Sequence, residues 1–151
     1  KIGGLRLAAG EPVGDLEVRH SKTRGGVIEK GMTAAVIDEI PVLAVLGAVS
    51  ENGLTVRDAA ELRVKESDRI ATVAENLARM GIQIETLPDG FHVPGNQRFR
   101  PAELDSFGDH RIAMAFAVAA LAAPGESLIA GAEAAGVSFP EFFRILSDIT
   151  Q

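Results

Sequence analysis

The sequence predicts an α/β protein assembled from a repeated supersecondary unit, and three observations support that prediction. Apolar residues switch between helical and strand spacing along the chain. Helix starts recur at an offset of 71 residues: Asp38 with Asp109, and Ser67 with Ser138. Between these starts, Gly53-Leu54-Thr55-Val56-Arg57-Asp58-Ala59-Ala60 parallels Gly125-Glu126-Ser127-Leu128-Ile129-Ala130-Gly131-Ala132. A unit repeated at a fixed period stacks on its neighbours around a shared core.

The elements follow in order. Residues 1–30 read as the closing strands of an earlier repeat, because Gly3-Gly4-Leu5-Arg6-Leu7 is similar to Gly81-Ile82-Gln83-Ile84 and strand-like Leu16-Glu17-Val18-Arg19 follows. Residues 31–100 form one repeat unit. Its first helix spans 38–51, with Ile40, Leu43, Ala44, Leu46 and Gly47 as the apolar stripe and Pro41 tolerated in the first turn. A strand at Leu54–Asp58 comes next. The helix over 68–80 is amphipathic through Ile70, Val73, Ala74, Leu77 and Met80, and Gly81 stops it. Strands at Ile82–Leu87 and Phe91–Val93 flank an Asp89-Gly90 turn. Pro94 to Pro101 is a polar loop. Residues 101–151 form a truncated unit, with helices over 110–123 and 139–149 around a strand near 127–130.

With 151 residues, 46% of them hydrophobic, the chain can bury a core as a single partial domain spanning 1–151. It carries 15 Lys and Arg against 21 Asp and Glu, a net charge of −6. That balance disfavours nucleic acid, which needs a basic face, whereas a local basic cluster can still take a small anion. Without cysteine there is neither a disulfide nor a thiolate site, and His20, His92 and His110 lack metal-ligand spacing. No apolar run approaches the roughly 20 residues of a membrane span. The chain starts at Lys1 and ends at Ile149-Thr150-Gln151, where a strand is expected to begin. Both ends are expected to be cut, which hides any targeting signal.

The chemistry concentrates in Leu62-Arg63-Val64-Lys65-Glu66-Ser67-Asp68-Arg69 and in Asp109-His110-Arg111. Each precedes an apolar helical run, which puts its charges at a helix N-terminus, where free N–H groups and the dipole favour anions. Ser67 is the expected N-cap, with Asp68 in the first turn. Arg69 there is out of place unless an anion lies close by. Asp68 or Glu66 supplies it in one reading; a bound carboxylate or phosphate gripped by the guanidinium fork supplies it in the other. His110 and Arg111 repeat the misplacement at a second helix, which points to a shared anion. Asp38 opens the matching helix of the earlier unit, as a cap or as a general base; spacing favours the cap. Ser138 is expected to cap the last helix. Arg19, Lys22, Arg24 and Arg57 are most simply solvated.

These segments resemble the 3-phosphoshikimate 1-carboxyvinyltransferase family, the 5-enolpyruvylshikimate-3-phosphate (EPSP) synthases of the shikimate pathway that glyphosate targets. Leu62 to Ile70, Asp109 to Ala115, Ile37 to Val45 and Ser138 to Phe143 match it in order, so the resemblance covers nearly the whole chain. It implies a cytoplasmic, two-domain enzyme of aromatic amino acid biosynthesis. Each domain is built from three βαβαββ units around buried helices, as an inside-out α/β barrel, and the present chain lies near the C-terminus. It implies shikimate 3-phosphate and phosphoenolpyruvate as substrates, an N-terminal domain as partner, and no cofactor, metal, membrane or nucleic acid. By resemblance, Asp38 accepts the 5-hydroxyl proton, Lys65 contacts shikimate 3-phosphate near that hydroxyl, and Glu66 protonates the phosphoenolpyruvate methylene. Arg69 and Arg111 hold phosphoenolpyruvate, with His110 a neighbouring phosphate contact. Many members carry a lysine where this chain has Val137. The related transferase acting on UDP-N-acetylglucosamine is the nearest competing assignment, although Lys-Glu-Ser-Asp-Arg and Asp-His-Arg fit it poorly. A non-catalytic module whose clusters only cap helices is the other.

Overall fold

A computed structural model describes residues 1–150. Where a strand is expected to begin, at Ile149-Thr150-Gln151, Ile149 ends a helix and Thr150 is its C-cap, and Gln151 lies outside the described residues. The chain opens with an antiparallel hairpin of β1 (Ile2–Ala8) and β2 (Glu11–Leu16), exposed along its whole length. Strand-like Glu17–Arg19 lies past the end of β2 rather than inside it. Then β3 (Gly26–Ile28), a short α1 (Gly31–Ala35), α2 (Ile40–Val49) and β4 (Leu54–Val56) follow, with β3 and β4 parallel. A 3-10 helix (Ala60–Val64) leads into α3 (Arg69–Arg79), and the hairpin β5 (Glu85–Leu87) and β6 (Gly90–Val93) adds antiparallel to β4. The sheet order is β3-β4-β6-β5.

The second half repeats this order. β7 (Glu103–Asp105), α4 (His110–Leu121) and β8 (Leu128–Ala130) form another parallel crossover. A second 3-10 helix (Ala132–Val137) and α5 (Phe142–Ile149) complete it. The repeat read from the sequence is therefore present in the backbone as strand, helix, strand, 3-10 helix, helix. Both 3-10 helices, α1 and β7 are absent from the sequence expectation, being too short to impose a period.

The core lies between α2, α3, α4 and the four-stranded sheet, around Ile40, Leu62, Ile70, Leu77, Phe91, Ile112 and Phe116, each fully buried. Full burial of one such side chain contributes about 1.5–3 kcal/mol, so these few residues carry much of the fold. The expected α3 stripe is buried at Ile70, Val73, Leu77 and Met80. On α2 the stripe is shifted: Val45 and Ala48 are buried, whereas Leu46 is exposed. A helix apolar on all sides offers no periodicity from which to choose the inward face. Buried Asn76 on α3 donates to the carbonyl of Asp105 at 2.7 Å and accepts from its N–H at 3.1 Å, tying one unit to the next. Gly53, with φ of 72°, turns the chain into β4 so closely that a Cβ would lie 2.2 Å from the Val93 carbonyl.

Three helix starts differ from expectation. Helix α2 begins at Ile40 with Glu39 as its cap residue, and Asp38 is no cap because its carboxylate is drawn to Arg69. Asp68 rather than Ser67 caps α3, accepting from the Ala71 N–H at 3.1 Å, since the Ser67 hydroxyl is donated to Asp109. Ser138 instead follows the second 3-10 helix, and α5 begins only at Phe142. Pro140 disfavours helical backbone at Phe139, which delays the start.

Candidate anion-binding site at the helix starts

The starts of α2, α3 and α4 meet at one place, and Arg69 is its centre. The Arg69 side chain is only 2% exposed, yet it carries a charge, so its guanidinium must be partnered. Nε donates to Asp109 Oδ2 at 2.8 Å, Nη1 to Asp38 Oδ1 at 2.9 Å, and Nη2 to Glu66 Oε2 at 2.7 Å and to Asp109 Oδ1 at 3.3 Å. Three carboxylates from three segments thus converge on one planar fork, a geometry that an ammonium group does not reproduce.

Asp109 is fully buried and does two jobs. As expected it caps α4, accepting from the Arg111 N–H at 2.8 Å, and it also grips Arg69 and accepts from Ser67 Oγ at 2.9 Å. The repeat alignment had placed Asp109 opposite Asp38, and this was the one sequence signal for its second role. Burial pushes its carboxyl pKa up, but the hydrogen bonds from Arg69, the Arg111 amide and Ser67 more than offset that and hold it below the ordinary value. Asp38 follows the same pattern. Burial raises its pKa, and the Arg69 hydrogen bond with the charges of Arg111, Arg69 and Lys65 brings it below normal.

Lys65 ends the 3-10 helix and pairs with Glu61 at 2.6 Å. That hydrogen bond is the main reason its pKa is raised, and the Asp38 charge adds to it. Arg111 is held more loosely than Arg69. Its Nη atoms lie 3.5 Å from Glu39 and 3.8 Å from Asp38, and its buried Nε has no hydrogen-bond partner among the described residues. It edges a cleft of about 170 Å³ with Asp38 and Glu39 at the rim and an apolar wall of Pro41, Val42, Met114, Ala115, Val118 and Phe142. His110 is half-buried as the first residue of α4.

Asp38, Glu66, Arg69 and Arg111 are therefore gathered, and Lys65 is near enough for its charge to act on Asp38. Val137 is 80% exposed at the end of the second 3-10 helix. Among the described residues no group of His, Asp and Glu is arranged to hold a metal ion, and no helix is long and apolar enough to cross a membrane.

The repeated α/β unit thus collects arginines and carboxylates at its helix starts. Comparison with known proteins narrows this further. The model of the family EPSP synthase (3-phosphoshikimate 1-carboxyvinyltransferase) matches residues 6–146, so the chain belongs to that family. It is 64% identical over 151 residues to the 3-phosphoshikimate 1-carboxyvinyltransferase of Solibacter usitatus (strain Ellin6076), covering all of this chain and 35% of that protein. It is 51% identical over 141 residues to the one from Synechococcus sp. (strain JA-3-3Ab), covering 93% of this chain and 32% of that protein. A solved EPSP synthase from Acinetobacter baumannii superposes with a TM-score of 0.90 at 36% identity, over 98% of this chain and 35% of that one. The chain thus spans about a third of the length of the relatives it matches. The α/β expectation is confirmed.

Proposed function

We propose that the longer protein carrying this chain transfers the carboxyvinyl group of phosphoenolpyruvate to the 5-hydroxyl of shikimate 3-phosphate, releasing phosphate. The observation that carries the proposal is the convergence of Asp38, Glu66 and Arg111 around the buried Arg69 guanidinium. An N-terminal domain supplies the facing wall, and the 151 residues alone do not turn over.

In this scheme the 5-hydroxyl oxygen bonds to C2 of phosphoenolpyruvate while Asp38 takes the hydroxyl proton. Asp38 is ionised at neutral pH as an ordinary aspartate is, and the Arg69 hydrogen bond and nearby cations favour that form further. A weak base takes the proton as the forming C–O bond makes it acidic. Lys65, kept cationic, lies beside the same hydroxyl and steadies the charge. Glu66 delivers a proton to the C3 methylene, completing a tetrahedral ketal phosphate. Return of one C3 proton to the Glu66 carboxylate and cleavage of the C2–O bond to phosphate then yield the enol ether and inorganic phosphate, which leaves with the bonding electron pair. Arg111, loosely held and with Nε unpartnered, is the open anion contact, and His110 stands next to it. Arg69 contributes charge from behind, and a bound phosphate or carboxylate reaches it by taking over Nη1 or Nη2 from Asp38 or Glu66. Preorganised cations at helix starts stabilise the departing phosphate in place of bulk solvent. Neither step places a lysine at position 137, so Arg111, Arg69 and His110 bear the phosphoenolpyruvate contacts.

The test is turnover by the full-length protein. Phosphate release with shikimate 3-phosphate and phosphoenolpyruvate, and none with UDP-N-acetylglucosamine as acceptor, is expected. The reverse preference would sink the proposal.

A further inference from the structure

Lys65 and Glu66 sit on a four-residue stretch, 65–68, that links the 3-10 helix to α3 without repetitive structure of its own. Such a stretch cannot hold two functional side chains in place unless something outside it does. Ser67 Oγ fixes one point by donating to Asp109. Lys65 and Glu66 are paired at their side-chain ends with Glu61 and Arg69, and the backbone of the stretch has a further anchor in Arg63, in the last turn of the 3-10 helix, whose side chain is two-thirds buried.

Arg63 uses three nitrogens on three acceptors. Nη1 donates to Asp68 Oδ2 at 2.8 Å, Nε to the Pro88 carbonyl at 2.7 Å and Nη2 to the Leu87 carbonyl at 2.8 Å. Asp68 keeps its other oxygen for the α3 cap. Leu87 and Pro88 belong to the β5–β6 hairpin, where Leu87 pairs with Gly90. That hairpin is itself pinned through Asp89, which accepts from the Asp58 N–H at its carboxylate and from the Ala59 N–H at its carbonyl. Arg63 thus bolts the start of α3 to a fixed part of the sheet. None of these bonds goes to Asp38, Lys65, Glu66, Arg69 or Arg111.

We infer that Arg63 is a positioning residue: it holds the 65–68 stretch, by way of Asp68 and the β5–β6 turn, so that Lys65 and Glu66 meet the reacting atoms. The inference rests on the function proposed above. Only a planar three-point donor meets all three acceptors, so lysine is no substitute. Displacing reacting groups by about 1 Å costs up to roughly 100-fold in rate even when the change lies outside the chemistry.

The test compares full-length wild type, Arg63→Ala and Arg63→Lys for kcat, both KM values, thermal melting and response to added guanidinium ion. For folded Arg63→Ala, kcat is expected to fall on the order of 10- to 100-fold. The phosphoenolpyruvate KM should move less than about threefold, because Arg111 and His110 come from α4, Arg69 stays held by Asp109, and the lost effect is on the transition state. Guanidinium, seated in the vacated space, should restore part of kcat, which loss of folded protein alone would not allow. Arg63→Lys should melt near wild type but stay slow. Wild-type kcat in either variant overturns the role, as does a loss that follows the unfolded fraction and ignores guanidinium. If Arg63→Ala does not fold, Arg63→Lys and Arg63→Gln decide by the same kcat criterion. A wild type that never turns over overturns the function itself, and an active wild type indifferent to Arg63 overturns only this role.

Discussion

Asp109 accepts two hydrogen bonds from Arg69, at 2.8 Å from Nε and 3.3 Å from Nη2, and neither side chain is more than 2% exposed. The two residues are 40 positions apart and start α4 and α3, so this one pair locks together the helix starts of successive repeats. Taking both charges out of water is costly, and the pair is tolerated because nearly every donor and acceptor is used.

Removing one partner should therefore expose the full cost. Asp109→Ala in the full-length protein is expected to lose about 3–5 kcal/mol, since it leaves the buried Arg69 Nε unpaired, with only the part-exposed Asp38 and Glu66 as counter-charges, and removes the α4 cap. Asp109→Asn, which can still cap and accept, should lose less. Urea unfolding measures both, and an Asp109→Ala loss below about 1 kcal/mol, the range of a surface pair, would contradict the buried-pair account.

The two arginines should separate by phenotype. Arg111→Ala is expected to raise the phosphoenolpyruvate KM at least about tenfold, a charge-assisted contact's worth, with little change in melting temperature. Its partners stand 3.5 Å or more away, so the fold depends little on them. Arg69→Ala should raise KM and also lower stability, because its two hydrogen bonds to the buried Asp109 are structural. Equal melting temperatures for the two variants would refute the distinction.

Acid should weaken the fold through the aspartates. An unfolded aspartate titrates near pH 3.9, and Asp38 and Asp109 lie below that in the folded protein. A depressed carboxyl stabilises above its unfolded pKa, and that stability is lost as pH falls through the folded value. Unfolding midpoints should thus drop below about pH 4. Asp109 should dominate, because Asp38 is 42% exposed and solvent screens it. The slope should shrink in Asp109→Asn; an unchanged slope would assign acid loss elsewhere.

Asp38→Asn should remove the proton acceptor while keeping an oxygen for Arg69. Turnover is expected to fall about 100- to 10,000-fold, as loss of a general base does, with the phosphoenolpyruvate KM within a few-fold of wild type. Quench-flow detection of ketal formation locates the defect in the addition step. A near-normal rate would remove Asp38 from the chemistry.

The 151 residues on their own should be sticky as well as inactive. Val42, Leu46 and Val49 on α2 and Leu121 on α4 are exposed, and so is the whole β1–β2 hairpin with Leu5, Leu7 and Leu16. Contiguous apolar surface of this kind binds a dye such as ANS or self-associates. A monomeric, dye-negative fragment would show the surface to be smaller than it looks.

Much of this was legible in the chain. The α3 stripe, the Asp109 cap, the Pro41 first turn and the repeated order of elements all depend on contacts within a helix or on a repeated pattern, which sequence spacing reports directly; the helix starts themselves recur at offsets of 70 and 73 rather than 71. The failed caps at Asp38 and Ser67 depended on distant partners. Asp38 and Ser67 are good caps by type, yet both side chains were claimed by residues 31 and 42 positions away. The inward face of α2 was also unreadable, because a helix apolar on every side carries no phase.

By itself, then, the sequence determined the α/β class, the repeated unit and the charged residues at helix starts, because local periodicity and capping chemistry act over a few residues. Only the tertiary structure decided how those charges are used. Arg69 is enclosed by three carboxylates, Arg111 Nε has no partner among the described residues, and Arg63 ties the 65–68 stretch to a hairpin. Each outcome turns on which segments a buried guanidinium can reach, and that distance is set by packing between repeats rather than by order along the chain.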